Sequence, residues 1–172
     1  DPDQMLDQYS VEYTFPDGTK LFAQGRHVAG CWDIFSDFAQ GAKGSAVLME
    51  NLGAAKSRIY KGHSQTPENL VWRYQGEAVD PYQREHDLLF AAIRNDQPYN
   101  ETERAAKACL VSIMGRMAAE SGLVINYDDA LASNLELAPG LDKVSSLDDP
   151  APLMPDASGK YPVPVPGRTK VL

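Results

Sequence analysis

Alternating apolar and polar positions predict antiparallel strands in the first half of the chain. Residues 9–15 alternate aromatic or apolar side chains with polar ones, which is typical of a half-buried strand. The turn at Pro16-Asp17-Gly18 follows, and residues 19–26 return as the second strand of a hairpin. Further strands are predicted at 32–39, 45–50, 57–61 and 70–75. Short strands joined by turns in sequence order predict an antiparallel meander.

A helical period replaces the alternation after Asp80. The first predicted helix begins at Pro81 or Tyr82 with Asp80 as its N-cap, and Leu88 and Ile93 belong to its apolar stripe. The second helix is predicted to begin after Asn100, as N-cap, and to end at Gly122 in the left-handed conformation. Its predicted buried face consists of Ala106, Cys109, Leu110, Ile113, Met114 and Met117. Small side chains at Ala105, Ala108, Ser112 and Gly115 would allow another backbone to approach it closely.

Two shorter elements complete the prediction. Residues 123–127 favour a short strand, and Asp128 is expected to cap a last helix through Ala132. These elements predict an α+β fold, a two-layer sandwich with a mostly antiparallel sheet and helices on one face, over residues 1–137. The apolar positions Leu88, Ile93, Cys109, Ile113 and Met117 are expected to be buried against that sheet.

Residues 138–172 differ in composition from the rest of the chain. They are rich in Pro, Gly, Asp and Ser, and the YPVPVPG segment is typical of extended, polyproline-like chain. Such composition predicts a Pro-rich tail that trails from the domain. The apolar residues Tyr161, Val163 and Val165 favour the alternative, in which the tail packs along the domain surface.

Composition narrows the classes of partner. The 172 residues carry a formal charge of −8, which argues against nucleic acid and against an anionic membrane surface. No apolar run approaches the roughly 20 residues that span a bilayer. The polar opening at Asp1, without a Met, is expected for a fragment of a longer protein. The sequence does not decide whether its two cysteines, Cys31 and Cys109, form a disulfide. The absence of a C-x-x-C motif predicts that the chain has no structural zinc site.

The sequence contains no glycine-rich phosphate-binding motif, no P-loop, no nucleophile elbow and no H-E-x-x-H. Two polar clusters are the candidate binding residues. Arg26 and His27 leave the second strand shortly before Trp32, a combination able to bind a polyol or a carboxylate; the favoured alternative is a solvent-facing pair. His86, near the start of the first helix, is a candidate ligand contact, against the favoured alternative of a solvated helix face.

Four segments together suggest a family: VEYTFPDGTKLFAQGRHVAGCW, GAKGSA, REHDLLFAAIRNDQPYNETERAAKACLVSIMGRMAAESG and YPVPVPG. They resemble the C-terminal domain of the glucose–fructose oxidoreductase/inositol dehydrogenase (Gfo/Idh/MocA) family, in its bacterial subgroup found in saccharide-degrading organisms. The resemblance covers nearly the whole chain.

The resemblance implies a larger enzyme with an N-terminal Rossmann domain that binds NAD or NADP. A sugar or cyclitol would lie between the two domains and exchange a hydride with the nicotinamide. The C-terminal domain would carry helices on one sheet face and form homo-oligomers through the other. The family's catalytic lysine, histidine and aspartate precede the segment matched here, so no catalytic or cofactor-binding residue carries over. Arg26, His27, Cys31 and Trp32 match a segment near the cleft.

The leading hypothesis is therefore the substrate-binding and oligomerisation domain of an NAD(P)-dependent oxidoreductase, with the chain by itself inactive and binding no nucleotide. The alternative is a non-catalytic module that binds a saccharide or a protein. A parent enzyme that has lost catalysis and keeps only binding is a third possibility.

Overall fold

The structure, a computed structural model, describes residues 5–51 and 56–172; the remaining residues of the predicted domain, 1–4 and 52–55, lie outside it. The strands are β1 (Gln8–Thr14), β2 (Lys20–Arg26), β3 (Ser36–Gly41), β4 (Gly44–Glu50), β5 (Arg58–Lys61) and β6 (Leu70–Arg73). The α-helices are α1 (Pro81–Arg94), α2 (Thr102–Ser121) and α3 (Tyr127–Leu131), and short 3-10 helices span Pro67–Asn69 and Leu141–Lys143. Both sheets are antiparallel, which confirms the predicted α+β class.

The described residues form two compact units. One contains residues 5–29 and 101–172, with β1, β2, α2 and α3; the other contains residues 30–51 and 56–100, with β3 to β6 and α1. The strands therefore divide into a two-stranded and a four-stranded sheet, where the sequence pattern predicted one continuous meander.

The hairpin of the first unit forms as the sequence predicts. β1 and β2 pair from Gln8 opposite Arg26 to Thr14 opposite Lys20. In the turn, the Asp17 carboxylate accepts a hydrogen bond from the Thr19 amide at 2.9 Å, and Gly18 adopts a φ of 85°. A left-handed φ suits glycine because it has no Cβ to clash with the backbone. The turn chemistry thus fixes the hairpin register.

Helix α2 makes contacts on two opposite faces. At about 100° per residue, Leu110, Met114 and Met117 share one face. This face packs against Ala130 of α3, Val171 and Ile125 to form the core of the first unit. The opposite face carries the smaller side chains and contacts β1.

The end of the chain packs on the C-terminus of α2. Gly122 ends the helix with a φ of 72°, as predicted, and its amide donates to the Ala118 carbonyl at 2.8 Å. The Gly167 amide donates to the carbonyl of the fully buried Ser121 at 2.6 Å, and Pro166 lies against Gly122. These contacts hold residues 166–171 on α2. The predicted extended conformation is wrong at Leu141–Lys143, which forms a 3-10 helix, and stays a prediction for the YPVPVPG segment.

The second unit is built on a sheet with the strand order β3-β4-β5-β6. Helix α1 follows it, and the Asp80 carboxylate accepts hydrogen bonds from the Tyr82 and Gln83 amides at 2.8 and 3.2 Å. Asp80 is therefore the N-cap of α1, with Pro81 at the first helical position, as the sequence predicts.

The expected burial of five helical apolar positions against the sheet is wrong, because four of them are exposed and Met117 packs on α3 and Val171 instead. Met117 is buried, but Leu88 and Cys109 are exposed, Ile93 is 64% exposed and Ile113 is 48% exposed. In α2, Cys109 and Ile113 lie on the flank of the helix, beside the face that packs on α3 and Val171. A single apolar stripe was predicted, whereas two separate faces find partners.

Several predicted boundaries also change. β3 begins at Ser36, so Trp32 lies in the preceding connection and not in a strand. Residues 123–126 are the link between α2 and α3, because no strand in the described part of the chain pairs with them. Asn126 replaces Asp128 as the cap of α3, and Glu101 replaces Asn100 as the cap of α2.

Candidate functional site

Two of the predicted site residues end the hairpin. Arg26 is the last residue of β2 and pairs with Gln8 across the hairpin. The His27 amide donates to the Asp7 carbonyl at 2.8 Å, which extends the pairing by one residue. The strand pairing fixes the backbone of both residues. Both residues are exposed, so their side chains lie at the surface.

The other two predicted residues belong to the second unit. Trp32 is 76% exposed in the connection before β3. His86 lies in α1, where its Nδ1 is 2.8 Å from the Tyr82 carbonyl oxygen and its ring centroid is 6.4 Å from that of Phe90. The contact with Tyr82 ties the imidazole to its own helix. The structure thus places Arg26 and His27 together in one unit, and Trp32 and His86 in the other.

A cavity of about 350 Å³ lies in the first unit, between the hairpin and the small-residue face of α2. Its lining comes from three segments, the residues before β1, the hairpin and α2. They are Met5 and Leu6; Tyr9, Val11, Tyr13 and Ala23; and Ser112, Gly115, Arg116, Ala119 and Glu120. Strand alternation puts the β1 residues on one face, and helical spacing does the same for those of α2. The cavity exists because small side chains on α2 leave space opposite the tyrosines.

Tyr13 fastens the hairpin to α2. Its hydroxyl donates to the Val111 carbonyl at 3.1 Å. To reach that oxygen it crosses Gly115, where a Cβ would collide with the hydroxyl. The sequence predicted that small residues of α2 admit a close neighbour, and at Gly115 that neighbour is a side chain and not a backbone. Partial burial raises the pKa of Tyr13, and the nearby Tyr9 adds a smaller effect in the same direction.

Tyr9 is held in place by its partner across the hairpin. Tyr9 pairs with Gly25, and its ring occupies the space that a Cβ at position 25 would need. The ring therefore lies directly over the β2 backbone, and about half of the residue stays exposed. An aromatic ring fixed on one side and open on the other is a preformed binding surface for an apolar or C–H-rich face of a ligand.

Arg116 and Glu120 supply the charged part of the cavity. The Arg116 Nε donates to the Glu120 Oε1 at 2.6 Å, one helical turn apart. The Glu120 side chain is only 7% exposed, and a buried carboxylate needs such a partner. The contact uses one oxygen and one nitrogen, which leaves Glu120 Oε2 and the two Nη atoms of Arg116 for other partners. Sequence reasoning missed this pair, because i,i+4 Arg–Glu spacing is also typical of solvated helix surfaces.

The four-stranded sheet carries a second candidate surface, which we call the apolar row. Ala39 pairs with Ala46, Ala46 with Ile59, and Ile59 with Trp72, so one side chain from each strand lies on the same sheet face. Ile59 and Trp72 are 46% and 47% exposed. On the opposite face Ser45, Val47 and Tyr60 are buried. The sheet thus buries the centre of one face, although Phe38 beside Val47 is 55% exposed, and leaves Ile59 and Trp72 open on the other face.

The chain exposes more surface than two compact units of the same total mass would. The chain has 14050 Å² of accessible surface. Surface scaling gives about 10,000 Å² for the same mass divided between two separate compact units. The excess includes many large apolar side chains, and such surface in a folded protein marks sites of association or ligand binding.

In the described ranges 5–51 and 56–172, no group of three or more His, Cys, Asp or Glu side chains is placed to hold a metal ion. None of the helices described is long and apolar enough to cross a membrane. Comparison with protein-family models, with curated proteins and with solved structures finds no match to this chain.

Proposed function

We propose that this chain is the substrate-binding and oligomerisation domain of an NAD(P)-dependent oxidoreductase that acts on a sugar or cyclitol. The observation that carries the proposal is the open apolar row of the four-stranded sheet. A domain that oligomerises through a sheet needs one face buried within its own fold and the other free for a second copy. The assignment to the oxidoreductases rests on the resemblance of the four sequence segments to the Gfo/Idh/MocA family.

The apolar row is self-complementary. Its β3 and β4 end is small, with Ala39 and Ala46, and its β5 and β6 end is large, with Ile59 and Trp72. A two-fold axis parallel to the strands places the large end of one copy over the small end of the other. Stable interfaces bury about 800 Å² per partner, so the row is the centre of a wider contact.

In the described part of the chain, the N-termini of α1 and α2 disfavour the binding of a dinucleotide. A pyrophosphate is held by a glycine-rich turn between a strand and the N-terminus of a helix. The connection from β6 to α1 ends instead in Asp80, whose carboxylate already occupies the amides at the helix N-terminus. Helix α2 has Glu103 in its first turn. Both ends would repel a phosphate, and NAD or NADP in this proposal is bound by a separate Rossmann domain.

Self-association is the first test, measured by analytical ultracentrifugation of the chain over a range of concentrations. We expect a dimer or larger species that Trp72→Lys converts to monomer, because the substitution places a charge in the row. Trp32→Lys is the matched control, since it makes the same change at an exposed tryptophan outside the sheets. A wild-type chain that stays monomeric, or a Trp72→Lys variant that associates normally, would contradict the proposal.

Two further measurements address the enzyme class. Calorimetric titration with NAD and NADP should give no binding, and nucleotide binding by this chain would refute the assignment of the cofactor to another domain. The coding sequence upstream of Asp1 should encode a strand followed by a glycine-rich helix start. An upstream sequence without that pattern would remove the support for an oxidoreductase.

The second candidate function is a non-catalytic module that binds a saccharide or a protein. It is favoured by the cavity between the hairpin and α2, which is enclosed by residues of one unit. A monomeric chain with clear saccharide affinity would favour this function over the first.

A further inference from the structure

We propose that the outer edge of β3 binds an extended basic segment of a partner protein, which adds to the four-stranded sheet as a further antiparallel strand. The inference goes beyond the proposed function, which uses a face of this sheet and not its edge. It rests neither on the oxidoreductase assignment nor on the cavity of the first unit, so it can fail independently of both.

The outer edge of β3 is a row of backbone groups without a neighbouring strand. β3 is the first strand in the order β3-β4-β5-β6, and no other strand in the described part of the chain pairs with it. The Asn51 amide donates to the Phe35 carbonyl at 2.7 Å, so the backbone groups of Phe35 point toward β4. Because this direction alternates along an antiparallel strand, the N–H and C=O groups of Ser36, Phe38 and Gln40 point away from β4.

β3 lacks most of the devices that protect an edge strand from pairing. It spans six residues, Ser36–Gly41, with neither Lys nor Pro, and Asp37 is its one charged residue. The extra residue of the bulge lies on β4, because Asp37 pairs with Met49 and Phe38 with Val47. A regular edge of this length is a template for another strand, whose backbone hydrogen bonds supply affinity.

The side chains of β3 define the sequence that fits beside them. Phe38 is 55% exposed, so an apolar side chain directly opposite would cover it. Asp37 is exposed on the other face and forms no ion pair with a described residue, so Lys or Arg suits the position opposite it. The Ser36 Oγ is buried without a hydrogen-bond partner among the described residues, and a Thr opposite it would bring a hydroxyl beside it.

Charge favours a basic segment over a second copy of the chain at this edge. The formal charge of −8 attracts a cationic segment and repels another copy. In the register that places Phe38 opposite Phe38, two paired β3 strands leave Asp37 opposite Ala39, without a cation. A basic strand covers Phe38 and neutralises Asp37 at the same time.

Fluorescence anisotropy with two labelled peptides tests the inference. The capped peptide TTVIKTT places Thr, Lys and Ile opposite Ser36, Asp37 and Phe38 in an antiparallel arrangement, and TTVIETT replaces the Lys by Glu. The wild-type chain should bind TTVIKTT about fivefold more tightly, as expected for an exposed ion pair of good geometry. Asp37→Lys should reverse this preference, whereas Asp142→Lys, the same change at an exposed position of the first unit, should keep it. An Asp37→Lys variant that keeps the wild-type preference would overturn the proposal.

Two variants test whether the backbone edge is used. The Phe38 amide points away from β4, so Phe38→Pro removes an outward donor without removing a hydrogen bond between β3 and β4. Phe38→Ala is its matched control, since both variants lose the ring. Phe38→Pro should bind TTVIKTT about three- to tenfold more weakly than Phe38→Ala, which is the effect of one lost hydrogen bond. Equal binding by the two variants would overturn strand addition.

Hydrogen exchange of the wild-type chain gives a readout that needs no variant, and it decides if Phe38→Pro does not fold. On binding of TTVIKTT, the outward amides of Ser36, Phe38 and Gln40 should become protected, whereas the Ala39 amide, which points toward β4, should not change. The absence of saturable binding up to about 1 mM peptide, or binding without protection of these amides, would overturn the proposal. A smaller sedimenting species in Phe38→Pro than in Phe38→Ala, without peptide, would overturn it as well, because a second copy would then occupy the edge.

Discussion

Truncating Met117 should be far more damaging than truncating Ile113, although both are large apolar residues of α2, one turn apart. Met117 is 2% exposed and packs with Ala130 and Val171. Its replacement by Ala loses the transfer free energy of the buried side chain and leaves a cavity, which together cost about 2–5 kcal/mol. Ile113 is about half exposed on the flank of the helix, so its truncation loses a fraction of the transfer term and leaves no cavity.

The magnitude for Ile113→Ala follows from two opposing effects. Full burial of an isoleucine contributes about 1.5–3 kcal/mol, and roughly half of that is present here. Alanine recovers a few tenths of a kcal/mol through its higher helix propensity. We therefore expect a loss of about 1 kcal/mol or less, against at least 2 for Met117→Ala. Urea unfolding followed by circular dichroism measures both. Equal losses in the two variants, or a larger loss for Ile113→Ala, would refute the assignment of the two faces of α2.

Three other predictions follow from the contacts of the first unit. Gly115→Ala should destabilise the wild type, because the new Cβ collides with the Tyr13 hydroxyl, and it should destabilise a Tyr13→Phe variant less. A double-mutant cycle measured by urea unfolding tests this, and the absence of coupling between the two substitutions would contradict the contact. The raised pKa of Tyr13 means that the folded state favours the neutral phenol, so stability is intact below the ordinary pKa of about 10 and falls as the pH rises through the folded value. Unfolding midpoints between pH 8 and pH 11 should therefore decline less in Tyr13→Phe than in the wild type. Val171→Ala should lower the thermal midpoint, because this side chain is buried against Met117, whereas Val163→Ala, at an exposed position of the same segment, should leave it unchanged within error.

The elements that the sequence predicted well are those encoded by local chemistry. Alternation and the Pro16-Asp17-Gly18 turn determine the hairpin because its strands are adjacent and the turn residues have few alternatives. Asp80 and Gly122 mark helix ends because a cap depends on atoms within a few residues of it. None of these features requires knowledge of what packs on them.

The elements that the sequence predicted poorly depend on distant partners. Strand alternation shows which side chains share a face but not which strands pair, so the division into two sheets was not foreseen. Met117 and Ile113 of α2 are both large apolar residues, so the sequence does not distinguish them. Only the location of α3 and Val171 decides that Met117 is buried and Ile113 is not. Glu120 has the same sequence spacing to Arg116 as Glu103 has to Lys107, yet the hairpin covers only the first pair.

The two faces of α2 link the stability of the first unit to the saccharide binding of the second candidate function. The Met117 face holds α3 and the end of the chain, whereas the opposite face holds the hairpin partly through the hydrogen bond of Tyr13. A saccharide or similar polyol bound in the cavity, between Tyr9 of the hairpin and the Arg116–Glu120 pair of α2, would bridge these elements in the folded state only. By linkage, a polyol at ten times its Kd should raise the free energy of unfolding by about 1.4 kcal/mol. The same polyol should not protect Tyr9→Leu at that concentration. Stabilisation of both proteins to the same extent would mean that the polyol acts as a general osmolyte, through exclusion from the surface rather than through this site.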